Sequence, residues 1–236
     1  MIVVLLFGRM MAQGTAADGK MAQEKIEPGS KNINLAYFKP GSNFQKLSWF
    51  DKEGVLTHQA TLNCVTRIDS VNKKLIYLQI RNDGKKDSTI VEWPTLKPIY
   101  TATFAGSKVL VYDYRGGEKV KNTVTQNGRV ESDTSYSVVA AYFDSYLTDY
   151  LFGALPLKPG YQGQFRIGSG GNGMVSIKDV FTDVLSAGNF AAVQAYVAIV
   201  DYNGYKVTYW IDKVSGEMLK SIYQGPDGSI FMKSRI

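Results

Sequence analysis

A chain of 236 residues that is 44% hydrophobic, 12% aromatic and only 20% charged has the composition of a folded globular protein and excludes a disordered tail. Its net charge of +6 is spread over Lys73-Lys74, Lys85-Lys86, Lys119 and Lys121, beside expected turns and strand ends, where lysine guards a sheet edge against pairing. With no basic cluster among stacking aromatics the chain excludes a nucleic-acid surface, and with one His and one Cys it excludes a zinc site and an internal disulfide.

Residues 1–13, MIVVLLFGRMMAQ, hold an apolar run too short to span a bilayer, followed by small and polar residues. They read as a signal peptide cut near Ala12 or Gln13, and the missing basic start fits a signal truncated at its beginning. Cys64 lies too deep in the chain to be a lipoprotein acylation site. The expected product is a soluble, exported periplasmic protein with no transmembrane segment in the mature chain, its association with the outer membrane left open. Residues 14–32, polar and rich in Gly, Ala and Lys, read as a flexible leader, and residues 33–236 as a single β-rich domain.

Alternating apolar residues recur over 47–50, 55–68, 74–81 and 89–93, separated by Asp51-Lys52-Glu53-Gly54, Asn72 and Asn82-Asp83-Gly84, which predicts a meander of strands. Pro94 and Pro98 interrupt it, and the same grammar resumes over 100–104, 108–114, 118–125 and 130–133 with Gly106, Gly116-Gly117 and Asn127-Gly128 as turns. Between Ser137 and Phe152 the period changes: Val139, Phe143, Leu147 and Leu151 recur every four residues beside Tyr142, Tyr146 and Tyr150. That stripe predicts an amphipathic helix over 137–152, capped by Ser137 and stopped near Gly153, lying across the sheet.

From Tyr196 onward the chain is a run of hairpins. Asn203-Gly204 suits a two-residue turn with positive φ at both positions. It predicts the pairs Tyr202/Tyr205, Val200/Val207, Ala198/Tyr209 and Tyr196/Ile211 on one face and Val197/Trp210 and Asp201/Lys206 on the other. The next turn, Asp212-Lys213-Val214-Ser215-Gly216, predicts Ile211 opposite Met218 and Trp210 opposite Leu219, with Trp210 buried against Leu219 and Val197. The fold class is thus mostly β: a single large, strongly curved antiparallel sheet, an open or half barrel built of hairpins, with one amphipathic helix packed across it.

Catalytic constellations fail against this layout. Six residues of continuous strand separate His58 from Cys64 by roughly 20 Å, beyond the reach of a dyad. The Gly-rich GSGGNG at 168–173 lacks the Lys and the strand and helix of a phosphate loop, and DKVSG at 212–216 lacks the spaced acidic ligands of a calcium loop. Glycoside hydrolysis needs two carboxylates roughly 5 to 9 Å apart, whereas Asp179 and Asp183 are about 13 Å apart by strand rise. Asp144 and Asp149 point to different sides of the expected helix, and Asp201 and Asp212 flank opposite ends of one strand.

LPLKPGY at 155–161, SAGNF at 186–190 and YWIDKVSGEMLKS at 209–221 resemble the C-terminal half of exported bacterial proteins known as a domain of unknown function, and WPTLKPIY at 93–100 is similar to their central segment. The resemblance covers roughly residues 90–225, and its motifs are structural, so no catalytic residues are carried over. That family resembles the periplasmic lipoprotein carriers and their outer-membrane receptors (LolA/LolB-like), in which a curved sheet roofed by helices surrounds an apolar cavity. The resemblance implies lipid carriage, with 137–152 as the roof.

The expected function is therefore a non-catalytic envelope binding or carrier protein for an apolar or lipid-like ligand, with no cofactor and no metal. The candidate cavity lining is Tyr142, Phe143, Tyr146, Leu147 and Tyr150 from the helix stripe and Tyr196, Ala198, Val200, Val207 and Tyr209 from the sheet. The alternative is an envelope scaffold or glycan-interaction module with a solid core that binds a protein or anionic polymer, and a glycan-acting hydrolase is the remote one. The oligomeric state is left open.

Overall fold

A computed structural model describes residues 23–115, 118–138, 140–168, 172–185 and 192–236. The expected signal peptide, the SAGNF segment and the middle of the Gly-rich loop lie outside the described residues. A short strand β1 (Glu24–Lys25) and a 3-10 turn (Leu35–Tyr37) precede a meander of eight strands: β2 (Gly41–Phe50), β3 (Leu56–Asp69), β4 (Lys74–Arg81), β5 (Lys86–Glu92), β6 (Pro98–Ala105), β7 (Lys108–Asp113), β8 (Lys119–Gln126) and β9 (Arg129–Ser137). A 3-10 turn (Ser145–Leu147) runs into the helix α1 (Thr148–Ala154), and six strands follow: β10 (Gly163–Ile167), β11 (Gly173–Leu185), β12 (Val193–Tyr202), β13 (Tyr205–Asp212), β14 (Met218–Gln224) and β15 (Ile230–Arg235).

All fifteen strands form one sheet in the order β1-β10-β11-β12-β13-β14-β15-β2-β3-β4-β5-β6-β7-β8-β9. It does not close into a barrel. Every pairing is antiparallel except β1 with β10. Strand β15 joins the two halves by pairing with β2, placing Phe231 opposite Trp49 and Lys233 opposite Leu47. The predicted register of the Asn203-Gly204 hairpin is the observed one at all six pairs, with φ of 50° at Asn203 and 86° at Gly204.

The sheet is bent around the helix, and simple lengths require it. Asp144, just before the 3-10 turn, accepts hydrogen bonds from Thr101 on β6, while Phe152 packs its ring edge on Phe165 of β10 at 5.8 Å. Ten strand-to-strand steps separate β10 from β6, roughly 48 Å in a flat sheet, but residues 144 and 152 are about 12 Å apart along a helix. Only strong curvature brings both strands to one short helix. The main core lies on the inner face and draws Leu62, Cys64, Tyr77, Leu151, Phe152, Ile177, Val200 and Tyr209 into one cluster.

Three expectations are corrected. The helical segment covers ten residues, 145–154, and not 137–152. Ser137 ends β9, and Phe143 bridges to Ile167 in extended conformation. Asp144 is the real cap, its side chain accepting the Tyr146 N–H at 2.9 Å, which ends the helix on that side. Residues 23–32 of the expected leader are folded, since Glu24 and Lys25 pair with β10 and Ile26 is in the core, 2% exposed. Trp210 lies on the outer face, half-buried. A bulge between Trp210 and Ile211 sets it opposite Lys220 while Ile211 still meets Met218. There it covers Val197 beside Phe181 in register, with the Lys220 ammonium 5.3 Å from its ring.

The helix C-terminus is locked against the β13–β14 turn. A Cβ at Gly153 would collide with the backbone carbonyl of Gly216, and one at Gly216 would strike the Tyr37 ring. The turn itself is held by Asp212, whose Oδ1 accepts N–H bonds from Val214 and Ser215 at 2.7 and 3.1 Å. Gly153→Ala is therefore expected to destabilise the protein by about 2 to 3 kcal/mol through overpacking. Urea denaturation measures it, and a loss below about 0.5 kcal/mol would show that the helix and the turn are not in backbone contact.

Candidate functional site

The helix is attached to the sheet by polar side chains at each turn. Asp144 is 2% exposed and accepts bonds from the Thr89 hydroxyl at 3.0 Å, the Thr101 hydroxyl and the Tyr146 N–H. Burial lifts its pKa, and the hydrogen bonds from Thr101, Tyr146 and Thr89 oppose that rise. The Tyr146 hydroxyl lies 2.8 Å from that of Thr103, which also donates to Asp87 at 2.6 Å. One turn on, Asp149 Oδ2 accepts from the Lys233 ammonium at 2.9 Å, and the Tyr150 hydroxyl accepts from Thr66 at 2.7 Å.

Asp149 and Lys233 form an ion pair with side chains 5% and 17% exposed. Burial pulls the Lys233 pKa down, but the Asp149 carboxylate and the Tyr223 hydroxyl more than offset it and hold the lysine above its ordinary range. The ammonium also lies 5.6 Å from the Tyr223 ring and 5.9 Å from the Phe231 ring, near enough for a cation–π contribution.

Where the helix stops covering the sheet, a cleft opens. A hollow of about 300 Å³ is bounded by Trp49, Arg81, Tyr146, Tyr202, Phe231 and Lys233, with Lys85 and Asp87 at its side. Trp49, Tyr223 and Phe231 continue from it into a second hollow of about 510 Å³ that reaches the turns at 51–53 and 225–229. These rings make a connected floor: Trp49 to Phe231 is 4.9 Å, Tyr223 to Phe231 is 5.6 Å and Tyr202 to Tyr223 is 6.4 Å between centroids. The Arg81 guanidinium lies 5.3 Å from the Trp49 ring. The groove therefore has an aromatic floor between polar ends, with Arg81, Lys85, Asp87, Asp149 and Lys233 next to the helix and Asp51, Lys52, Glu53 and Asp227 at the far turns.

The ten candidate residues fall in different places. Phe143, Leu147, Ala198, Val200, Val207 and Tyr209 are 0–1% exposed in the main core, where they meet one another; Phe152 stacks on Tyr209 at 4.1 Å. Tyr142 belongs to a separate small cluster with Tyr114 and Val120. Tyr146, Tyr150 and Tyr196 pack on the edge of the core and border three different hollows. Only Tyr146 reaches the aromatic groove. Trp49, Arg81, Tyr223, Phe231 and Lys233 were not anticipated, because the strands that carry Trp49 and Phe231 become neighbours only through the β15–β2 pairing. The alternation of Tyr223 with Ser221 and of Phe231 with Lys233 was the available signal for a shared face.

The groups with nucleophilic or acid–base potential are occupied structurally. Cys64 is fully buried, and burial raises its pKa to about 11 against a lowering hydrogen bond with Tyr77, so the thiol is protonated at neutral pH. His58 is exposed and packs on Trp49 at 4.8 Å. Among the described residues no group of three His, Cys, Asp or Glu side chains is arranged to hold a metal ion. No described helix is long and apolar enough to cross a membrane.

Lys233→Met alone is expected to cost about 3 to 5 kcal/mol, because it leaves the Asp149 carboxylate buried without its partner, whereas Lys233→Met with Asp149→Leu should recover most of that loss. Chemical denaturation of the single and double variants decides it. Equal losses in both would show that the pair contributes through packing alone.

A search of the curated proteins finds no match. Among solved structures the chain is similar to a hypothetical lipoprotein, YmcC, from Escherichia coli, at 8% identity over 81% of this chain and 86% of that one, with a TM-score of 0.28. It is also similar to a DUF1329 family protein from Desulfovibrio piger, at 11% identity over 89% and 92% of the two chains and a TM-score of 0.32. A LolA superfamily protein from Nitrosomonas europaea shares 8% identity over 86% and 91%, with a TM-score of 0.21. A family model described as protein of unknown function DUF3108 matches residues 48–233, from the strand that carries Trp49 to the strand that carries Lys233, and the chain belongs to that family.

Proposed function

We propose that this protein is a non-catalytic binding or carrier module of the cell envelope, and that its ligand is an apolar or lipid-like molecule lying along the aromatic groove. The observation that carries this reading is the continuous floor of Trp49, Phe231, Tyr223 and Tyr202 on the inner face. Flat rings buried by a flexible apolar chain repay its ordering through lost water contact. Arg81, Lys85 and Lys233, paired with Asp83, Asp87 and Asp149, make the end of the groove nearest the helix polar, and Tyr146 borders it there. Placement in the envelope rests on the reading of residues 1–13 as an export signal. A non-catalytic role is supported by the carboxylates of Asp144 and Asp149 being engaged in holding the helix.

This reading moves the ligand from beneath the helix to the groove beside it, because the interior beneath the helix is filled by Phe152, Tyr209 and their neighbours. That filled interior favours a second reading, an envelope scaffold that uses its surface alone. Binding of a hydrophobic fluorescent probe separates the two. The carrier reading expects saturable binding by the folded protein and about a tenfold weaker affinity for Phe231→Ala, from roughly 1.4 kcal/mol of lost apolar contact. Lys46→Ala, at an exposed outer-face position, should leave affinity unchanged. No probe binding by folded wild type, with no lipid in an organic extract read by mass spectrometry, would favour the scaffold.

A further inference from the structure

An antiparallel sheet with one face on a core ordinarily presents polar side chains on the other, but the outer face of β11 to β15 is apolar. Residues directly opposite on neighbouring strands share a face. The pairings therefore set Phe181, Val197 and Trp210 in one row across β11, β12 and β13. Ile199, Thr208, Ile222 and Met232 form the adjoining row across β12 to β15. Phe181 is 43% and Ile199 36% exposed, and the helix packs on the opposite face, against Tyr209.

Charge and area identify what covers this face. Among the residues paired in register on it, Asp201 lies opposite Lys206 at one end, and Asp212 is held in its turn. The others are acids on one side and a base on the other. Asp179 and Asp183 flank Phe181 on β11, both exposed, and each accepts the N–H of the following residue. Neither has an ion pair among the described residues. Lys220 stands across the patch on β14, half-buried beside the Trp210 ring, where burial lowers its pKa with no carboxylate to oppose it.

A face with acids on one edge and a base on the other is complementary to itself. A two-fold axis along the strands, between β12 and β13, lays β11 of one copy over β14 of the other and Trp210 over Val197. The sheet bends across its strands, so two convex faces meet lengthwise, along that axis. With strands about 4.8 Å apart and ten residues of β12 about 33 Å long, the four strands offer at most roughly 600 Å² on each copy. That is the low end for a specific pair, so the pair should dissociate on dilution. An anionic lipid surface is the poorer complement, because Asp179 and Asp183 would face its headgroups.

We propose that this outer face is the contact between two copies of this chain, packed sheet on sheet, with Phe181, Ile199 and Trp210 at its centre and Asp179 or Asp183 paired with Lys220 across it. The groove assigned to the ligand is on the inner face and stays open in both copies.

The test is the mass of the full chain by sedimentation equilibrium between about 1 μM and 1 mM, with melting temperatures taken on the same samples. The wild type should pass from one copy to two over that range. Ile199→Glu should stay a monomer throughout and keep the wild-type melting temperature at the lowest concentration, and Phe181→Glu provides the same test if Ile199→Glu does not fold. Lys220→Asp should weaken association roughly tenfold or more, and adding Asp183→Lys or Asp179→Lys should restore it. Phe231→Ala, in the groove, should associate as the wild type does. A wild type that stays monomeric, a dimer that Ile199→Glu leaves intact, or a loss in Lys220→Asp that neither lysine restores would overturn the proposal. So would a monomer that sediments with phosphatidylglycerol vesicles, which would assign the face to a lipid surface.

Discussion

Two buried carboxylates, one capping a short helical segment and one within it, hold the architecture in place. Asp144 collects hydroxyl donors from β5 and β6, and Asp149 takes the ammonium of Lys233 from β15. A helical segment of ten residues is too short to be stable alone, so its conformation depends on these attachments and on the packing of Leu147, Leu151 and Phe152 into the core. The same attachments fix the curvature of the sheet. Because Asp144 and Phe152 reach strands ten steps apart, the sheet bends as far as the helix is short.

The curvature explains why the inner face has two characters. Near the helix, side chains from β3, β4, β12 and β13 converge and fill the interior. On β2, β14 and β15 the inner face continues beyond the helix, and Trp49, Tyr223 and Phe231 face a groove. The Asp149–Lys233 pair stands at the boundary between these regions. A buried ion pair adds little stability over an apolar replacement, but it is intolerant of losing one partner. At this boundary it fixes which turn of the helix lies over which strand, and so where the groove begins.

Short-range chemistry was legible in the sequence. Asn203-Gly204 fixed a hairpin register because few residues tolerate positive φ at two successive positions, and the observed pairs match it. The mostly β class and the single helix crossing an open sheet followed from period alone. The helix start did not, because Ser137 and Asp144 are both acceptable caps and the four-residue repeat runs through the extended bridge at Phe143. Trp210 was expected buried against Leu219 and Val197 from the register of its hairpins, while the bulge before Ile211 sets it opposite Lys220 and leaves it half-buried on the face opposite Tyr209 and Ile211. The groove was missed for a topological reason: Trp49 and Phe231 are distant in sequence, and nothing local to either announces that β2 and β15 pair. Of the residues expected to line a cavity, Phe143, Leu147, Ala198, Val200, Val207 and Tyr209 are buried in the core, and sequence does not reveal whether such side chains meet a guest or each other.

The three tryptophans provide the most direct test of the groove as the ligand surface. Trp49 lies in it, Trp93 packs edge-on against Phe38 at 6.2 Å and lines neither hollow of the groove, and Trp210 is on the outer face. Indole N–H signals from a nitrogen-15-labelled protein, followed while laurate is added below its micelle concentration, report on all three at once. The account predicts a saturable shift of the Trp49 signal with Trp93 and Trp210 unmoved. A shift of Trp210 with Trp49 unmoved would place apolar ligands on the outer face and contradict it.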